Sequence, residues 1–331
     1  MKESLLKIEN LKMHYRTSEG DVKAIDGISL NIDYGEIVGL VGESGCGKSS
    51  LAYTLMRSLS PNGIIKDGRI FLENTEILSM PEKVFRTDIV WKMISLIPQG
   101  AMNSLDPLYK VEYQIKETLL AHNFKGDPKP LIDELLKFVD LHPSVLDMYP
   151  HQLSGGMKQR ITILISMLFK PKLIIADEPT TALDVLTQEH ILKLIRKTVK
   201  DLGISLILIS HDLPIVVENS NKIAIMYAGK IIEYAATDQI LKNPKHPYTV
   251  GLLYSHPDIE SEKEEFVYIP GKPPSLKSNF TGCRFYDRCP IASSICKKEE
   301  PKLEEVSPGH FVACHNFDKV IKEIWNHSMK S

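Results

Sequence analysis

Hydrophobic and polar positions change period several times along the chain. Upstream of residue 37 they alternate in short runs such as Leu6-Lys7-Ile8-Glu9-Asn10-Leu11, Val22-Lys23-Ala24-Ile25 and Ile28-Ser29-Leu30-Asn31-Ile32. Period two predicts antiparallel strands, with turns at Gly20, Gly27 and Gly35. Residues 37–40 are apolar and predict a buried strand, followed by a helix over about 48–59. Further strands are predicted at 68–72, 94–97, 171–179 and 204–210, with a hairpin over 223–233 turning at Gly229. Residues 111–122 and 131–141 carry apolar positions at helical spacing, punctuated by Pro128, Pro130, Pro143 and Pro150. Ser154 predicts an N-cap for a helix reaching about Phe169. A further amphipathic helix buries Ile191, Leu192, Ile195, Val199 and Leu202 and is closed by Gly203. The apolar pattern stops near Ser255. An acidic stretch from Asp258 to Glu265 predicts a linker, and the remainder is rich in proline, cysteine and short turns.

Chemistry is concentrated where strands end. After the 37–40 strand comes Gly42-Glu43-Ser44-Gly45-Cys46-Gly47-Lys48-Ser49-Ser50, a Gly-x-x-x-x-Gly-Lys-Ser run leading into a helix. This is a P-loop: its glycines let backbone N–H groups turn inward, and the helix dipole adds positive potential for phosphate oxygens. Lys48 supplies a point charge for the β- and γ-phosphates, and the Ser49 hydroxyl a ligand for Mg²⁺. Tyr15, at the end of the first strand stretch, is placed to stack on an adenine ring. Gln99 follows the 94–97 strand, so its amide can reach a metal or water at the sheet's C-terminal edge. Asp177 and Glu178 are the two acids at the end of the 171–179 strand. Adjacent carboxylates repel without a cation, so Asp177 is read as an Mg²⁺ ligand and Glu178 as the group that polarises an attacking water. His211, also at a strand end, is read as a γ-phosphate contact. Ser154-Gly155-Gly156, a bare helix start, is a second candidate anion site.

The chain has 331 residues, enough for one large domain and a smaller one, and ordinary apolar and charged fractions. A net charge of −2 gives no electrostatic case for nucleic-acid binding. The N-terminal residues lack the apolar core of a signal peptide, and no apolar run approaches the roughly 20 residues that cross a bilayer. A cytosolic chain, or one held at a membrane by partners, is expected. Cys46 lies in the P-loop, where it reads as a small filler; Cys283, Cys289, Cys296 and Cys314 cluster near the C-terminus. Clustered cysteines in such a chain suggest metal or redox chemistry more than disulfides. Their spacing, Cys-x5-Cys-x6-Cys-x17-Cys, suits a [4Fe–4S] cluster or Zn²⁺ and does not choose between them.

The P-loop, Gln99, the run Leu153-Ser154-Gly155-Gly156-Met157-Lys158-Gln159-Arg160, the strand ending in Asp177-Glu178, Asp184 and His211 occur in one order. That order resembles the ABC (ATP-binding cassette) ATPases over about residues 4–255, with no departure at these positions. The resemblance implies an α/β P-loop NTPase fold: a RecA-like α/β core, an antiparallel β subdomain and a helical subdomain over about 101–169. It implies Tyr15 as the adenine-stacking aromatic, Gln99 as the γ-phosphate sensor coupled to membrane subunits, Glu178 as catalytic base and His211 as the switch histidine. It also implies Asp184 as a contact to a second cassette, whose ATP would face Ser154, Gly155, Gly156 and Gln159. Hydrolytic competence with ATP and Mg²⁺ follows.

The tail adds Asn243-Pro244-Lys245-His246-Pro247-Tyr248-Thr249, Ile269-Pro270-Gly271-Lys272-Pro273-Pro274-Ser275-Leu276 and the four-cysteine segment. It is similar to the C-terminal extension of oligopeptide/dipeptide importer ATPases, some of which hold a [4Fe–4S] cluster. The resemblance implies an ATPase domain over 1–255 and a small irregular Cys-rich extension over 256–331. It favours iron–sulfur over zinc, in a structural role. It further implies a peripheral position on the cytoplasmic side of the cell membrane. The implied partners are a second, related or identical ATPase subunit, two permeases and an external solute-binding protein, with peptides as cargo and oligosaccharides or nickel as alternatives. An ABC ATPase acting on nucleic acid would need a coiled coil, a zinc-finger insertion or a second cassette, none of which the pattern contains.

Overall fold

The structure, a computed structural model, describes residues 4–100, 104–255 and 269–320. The acidic stretch 258–265 lies outside these, as does Met102 at the start of the predicted helical segment. The N-terminal alternation forms two long strands, β1 (Ser4–Thr17) and β2 (Gly20–Asp33), where shorter ones are predicted. Gly27 is not a chain-reversing turn. It sits inside β2 at φ +86°, where the register with β1 slips between Leu11–Ile28 and Lys12–Asp26. A bulge absorbs the residue and the strand continues.

The next strands are β3 (Ile37–Val41), β4 (Gly63–Leu72) and β5 (Thr75–Glu76). β4 pairs antiparallel with β1, giving a four-stranded sheet of order β2-β1-β4-β5. The second sheet is built from β3, β6 (Ile94–Ile97), β7 (Leu173–Asp177), β8 (Ser205–Ser210) and β9 (Lys222–Tyr227), all parallel, in the order β9-β3-β8-β7-β6. β10 (Lys230–Ala236) turns back antiparallel to β9 around Gly229 at φ +85°.

Both faces of the parallel sheet are covered, which is why its strands read as continuous apolar runs. In β7, Leu173 and Ile175 pack into the cluster shared with the antiparallel sheet, and Ile174 and Ala176 into the cluster shared with helices. The helices that matter here are α1 (Lys48–Leu55), α2 (Val111–Ala121), α3 (Lys129–Phe138), α4 (Gly155–Met167), α5 (Val185–Leu202), α6 (Leu213–Asn219), α7 (Thr237–Lys242) and α8 (Pro247–Tyr254). α5 ends as predicted, with Gly203 left-handed at φ +66°. α1 stops at Leu55, before the predicted end near 59; Arg57 follows with φ +48°. Among the described residues no helix is long and apolar enough to cross a membrane.

The cysteine-bearing segment is short-turned, as expected, but it is built into the core sheet. β11 (Glu304–Ser307) and β12 (His310–Val312) form a hairpin, and β12 pairs with β10 at Glu233–Val312 and Tyr234–Phe311. Glu233, fully buried, accepts from Lys245 N at 2.6 Å and His246 N at 3.0 Å, and lies 2.7 Å from His310 Nε2. Arg284 pairs with Asp26 and Glu300, and Lys230 with Glu300. The extension therefore continues the large sheet.

Candidate active site

The P-loop joins β3 to α1, and close approach dictates two of its glycines. A Cβ on Gly42 would meet the Met226 carbonyl oxygen at 2.1 Å, and one on Gly47 the Ala24 carbonyl oxygen at 2.1 Å. Any side chain would push the loop off the sheet. Lys48 is buried, and its ammonium donates to Gly42 O at 2.6 Å and Glu43 O at 3.1 Å. Ser44 and Gly45 form the exposed crest of the loop. Cys46 is the filler expected: burial pushes its thiol pKa up, against the pull of Lys48. Tyr15 is half-buried beside α1, its hydroxyl 3.3 Å from Ser50 Oγ.

Glu43 departs from a phosphate-facing role. Its N–H donates to the Tyr248 hydroxyl at 2.9 Å and its carboxylate is held by Arg288. The N–H faces α8 and the carboxylate faces the C-terminal extension. Its carbonyl, which holds Lys48, is its link to the loop interior.

Across the edge of the sheet, Ser49 Oγ donates to Asp177 Oδ1 at 3.1 Å. Asp177 is fully buried and its Oδ2 has no hydrogen-bond partner. Burial, reinforced by the Glu178 charge and opposed by the Ser49 hydroxyl and Lys48, holds its carboxyl above the ordinary value. An orphaned buried carboxylate oxygen beside a serine hydroxyl is the donor set a hard cation completes, so these residues fit Mg²⁺.

Next to it, Glu178 sits at φ +46°, a left-handed conformation uncommon outside glycine. Its Oε2 accepts from Gln99 Nε2 at 3.0 Å and from Thr181 Oγ1 at 3.0 Å, and His211 Nδ1 lies 3.1 Å from Oε1. Gln99, Glu178 and His211, predicted separately from three strand ends, form one hydrogen-bonded group. Thr181 was not singled out by the sequence, although it lies three residues past Glu178 at the same strand end.

The second anion site is elsewhere. Ser154 caps α4, its Oγ accepting from Met157 N at 3.2 Å. With Gly155, Gly156, Asp184 and Thr187 it lines an open cavity of about 430 Å³ to which no P-loop residue contributes. Asp184 caps α5 through Thr187 N at 3.0 Å, and hydrogen bonds from the Thr187 side chain and then its backbone hold its carboxyl below the usual range. Val185 and Leu186 beside it are each 78% exposed, an apolar pair with no cover among the described residues. Gln159 does not join this surface: it is 3% exposed, on the inner side of α4, with Nε2 unpartnered.

In the extension, Cys296 is buried and Cys283, Cys289 and Cys314 are half-buried. Burial, with the neighbouring thiols adding to it, pushes Cys283 up to about 11 and Cys289 and Cys314 up to about 12. The four thiols thus lie in one another's field. Ser293 Oγ, at 3.3 Å, and Asn316 Nδ2, at 3.6 Å, approach Cys296 Sγ. Among the described residues, no group of three or more His, Cys, Asp or Glu side chains is placed to hold a metal ion.

Comparison with known proteins agrees with this geometry. The ABC transporter family matches residues 25–181, and the oligopeptide/dipeptide transporter C-terminal region matches residues 232–296. The chain is 43% identical over 319 residues, 95% of its length and 98% of the relative's, to the dipeptide transport ATP-binding protein DppD of Caldanaerobacter subterraneus. It is 40% identical over 316 residues, 94% of its length and 93% of the relative's, to the oligopeptide transport ATP-binding protein OppD of Salmonella typhimurium. Among solved structures it resembles a dimeric ATP-binding cassette in a post-hydrolysis state bound to ADP and Pi, with TM-score 0.62 and 25% identity over 70% of this chain and 98% of that one. It also resembles an ABC transporter component, cbiO1, from Clostridium perfringens, with TM-score 0.62 and 28% identity over 76% of this chain and 96% of that one. The chain belongs to the ATP-binding subunits of ABC transporters, in the branch that carries the oligopeptide/dipeptide C-terminal region.

Proposed function

We propose that this chain hydrolyses ATP at the Lys48–Asp177–Glu178 site and, paired with a second cassette, drives import of di- or oligopeptides through membrane permeases. The observation that carries the reading is the Glu178 carboxylate, held by Gln99, Thr181 and His211 beside the Ser49–Asp177 pair. In this reading Glu178 accepts a proton from the attacking water. Gln99 and His211 orient that carboxylate and meet the γ-phosphate, the P-loop amides and Lys48 hold the β- and γ-phosphates, and Tyr15 stacks on the adenine. Mg²⁺ between Ser49 and Asp177 would neutralise charge developing on the phosphates.

Ser154–Gly156 and Asp184 line a cavity apart from the P-loop, and exposed Val185 and Leu186 flank it. A facing cassette that brings its own nucleotide would cover both, so each ATP would be shared by two chains. Two permeases would dock on the helical subdomain near residues 102–169, and a solute-binding protein would deliver cargo from outside. The chain itself would sit peripherally on the cytoplasmic side of the membrane. We assign 1–255 to the ATPase domain and 256–331 to the extension.

The peptide cargo is supported by the names of the relatives, proteins of dipeptide and oligopeptide transport. Co-purification with the permeases, reconstitution in vesicles and a ligand screen on the partner binding protein test it. ATP-dependent uptake of peptides supports the reading; uptake of oligosaccharide or Ni²⁺ alone overturns the cargo while leaving the ATPase intact.

The four thiols would hold a [4Fe–4S] cluster in a structural role. Four thiols in one segment suit such a cluster, with Zn²⁺ as the alternative. Anaerobically purified protein should be brown with about four irons per chain; colourless protein with one zinc would overturn this.

A further inference from the structure

We propose that Arg288, carried by the cysteine-bearing extension, is a positioning residue for the P-loop: it grips Glu43 by its carboxylate and fixes the first turn of the phosphate cradle. The proposal rests on reading Gly42 to Ser49 as the nucleotide site. The guanidinium donates from Nη1 to Glu43 Oε2 and from Nη2 to Glu43 Oε1, both at 2.8 Å. This fork-to-fork pairing fixes direction as well as distance. Nη1 also donates to the Tyr227 hydroxyl at 3.2 Å, and Nε to the Pro270 carbonyl at 2.8 Å. Arg288 is 7% exposed and lies over the rings of Tyr227 and Phe285, 5.7 and 5.8 Å from their centroids. Every guanidinium nitrogen is committed and the side chain is packed, so Arg288 is a rigid anchor.

On the other side, Glu43 is the junction of the loop. Its N–H goes to Tyr248, and its carbonyl accepts from Lys48 Nζ at 3.1 Å and from Cys46 N at 3.2 Å. One residue therefore ties the extension to the ammonium that meets phosphate. In this proposal the Lys48 ammonium, drawn toward phosphate when ATP binds, loosens its bonds to Gly42 O and Glu43 O. With Arg288 and Tyr248 still holding Glu43, the Gly42–Ser44 turn keeps its shape when that internal bond is lost. Without Arg288 the turn gains freedom, and ATP binding must supply the ordering. The loss should fall on affinity, because Arg288 touches none of Gln99, Asp177, Glu178 or His211.

A purely structural tie is a weaker account. The extension is already docked through the β10–β12 pairing, Arg284 with Asp26 and Glu300, and His310 with Glu233. Those contacts are independent of the P-loop.

The test uses the full-length chain, with ATP affinity from a fluorescent analogue and steady-state kinetics beside it. Arg288→Gln should weaken ATP binding about tenfold and raise KM in parallel, with kcat changed by about twofold at most. Glu43→Gln should lose a similar factor, and the double variant no more than either single one. Lys48→Ala is the control for the site itself and should abolish binding. If folded Arg288→Gln keeps native affinity while Lys48→Ala loses it, the positioning role is wrong and the nucleotide site stands. If Lys48→Ala also keeps native affinity, the nucleotide site itself is wrong. Additive losses in the double variant would overturn the coupling. Should Arg288→Gln not fold, Glu43→Gln carries the test, since it removes the same pair from the loop side and leaves Arg288 on Tyr227 and Pro270.

Discussion

Replacing Glu178 by Gln isolates the proton-accepting role of that side chain. Two of its contacts converge on a single oxygen: Gln99 Nε2 and Thr181 Oγ1 both donate to Oε2 at 3.0 Å. A glutamine can place its carbonyl oxygen there and keep both bonds. Its amide nitrogen then takes the place of Oε1 and donates to His211 Nδ1, now 3.1 Å from Oε1, provided the ring carries its proton on Nε2. Positioning therefore survives and basicity does not. Loss of a general base lowers turnover by about 10²–10⁴. That range corresponds to about 3–5 kcal/mol of transition-state stabilisation. Phosphate release from Glu178→Gln should fall by that factor while ATP affinity stays within about twofold of native. ATP-bound dimers should accumulate, visible as an ATP-dependent shift in gel filtration. A variant that turns over within about tenfold of native would remove Glu178 as the base. A large loss of ATP affinity would show instead that the Gln99–Thr181–His211 group depends on the charge for its shape.

Three further outcomes are expected. Asp177 has its folded pKa raised, so its contribution favours the fold at low pH and is lost as pH rises through that folded value; at neutral pH the buried carboxylate is a cost. Asp177→Asn should raise the melting temperature of the metal- and nucleotide-free chain by about 2–4 °C and abolish Mg²⁺-dependent hydrolysis; a fall in melting temperature in EDTA would contradict the orphan-oxygen argument. Leu186→Asp, at a position 78% exposed, should leave monomer stability within about 0.5 kcal/mol in urea unfolding yet remove the ATP-dependent dimer of Glu178→Gln; a persisting dimer would place the interface elsewhere. His310→Ala strips Glu233 of a buried partner 2.7 Å away and should cost about 3 kcal/mol in urea unfolding; a loss under about 1 kcal/mol would mean that the Lys245 and His246 amides satisfy Glu233 alone.

What the sequence disclosed followed from how far apart the cooperating residues lie. The P-loop is contiguous, and the strand that precedes it and the helix that follows are both set by local periodicity. Gln99, Glu178 and His211 are far apart in sequence, but each ends an apolar run, and a parallel sheet gathers the ends of its strands at one edge. The rule for one strand therefore located all three. Gln159 failed for a different reason. The helix start at Ser154–Gly156 acts through a hydroxyl and backbone amides, whereas a side chain one turn on is placed by the helical stripe. Gln159, Thr162, Ile163 and Ser166 share the buried face of α4, and the 3.6-residue period, applied to the polar as well as the apolar positions, places Gln159 there.

The pairing of Glu43 with Arg288 carried no signal of either kind. They are 245 residues apart, one in the P-loop and the other at the end of a single 3-10 turn (Tyr286–Arg288), and no periodicity relates them. The same is true of the β10–β12 pairing: three residues at His310–Val312 are too few to show an alternation, so a tail that reads as a separate module is a continuation of the main sheet. This bears on the cysteines. Arg288 immediately precedes Cys289, so whatever fixes the Cys283–Cys289 turn also fixes the guanidinium that holds Glu43. A site that looks like a remote ornament of the ATPase is one residue from a contact to its phosphate loop.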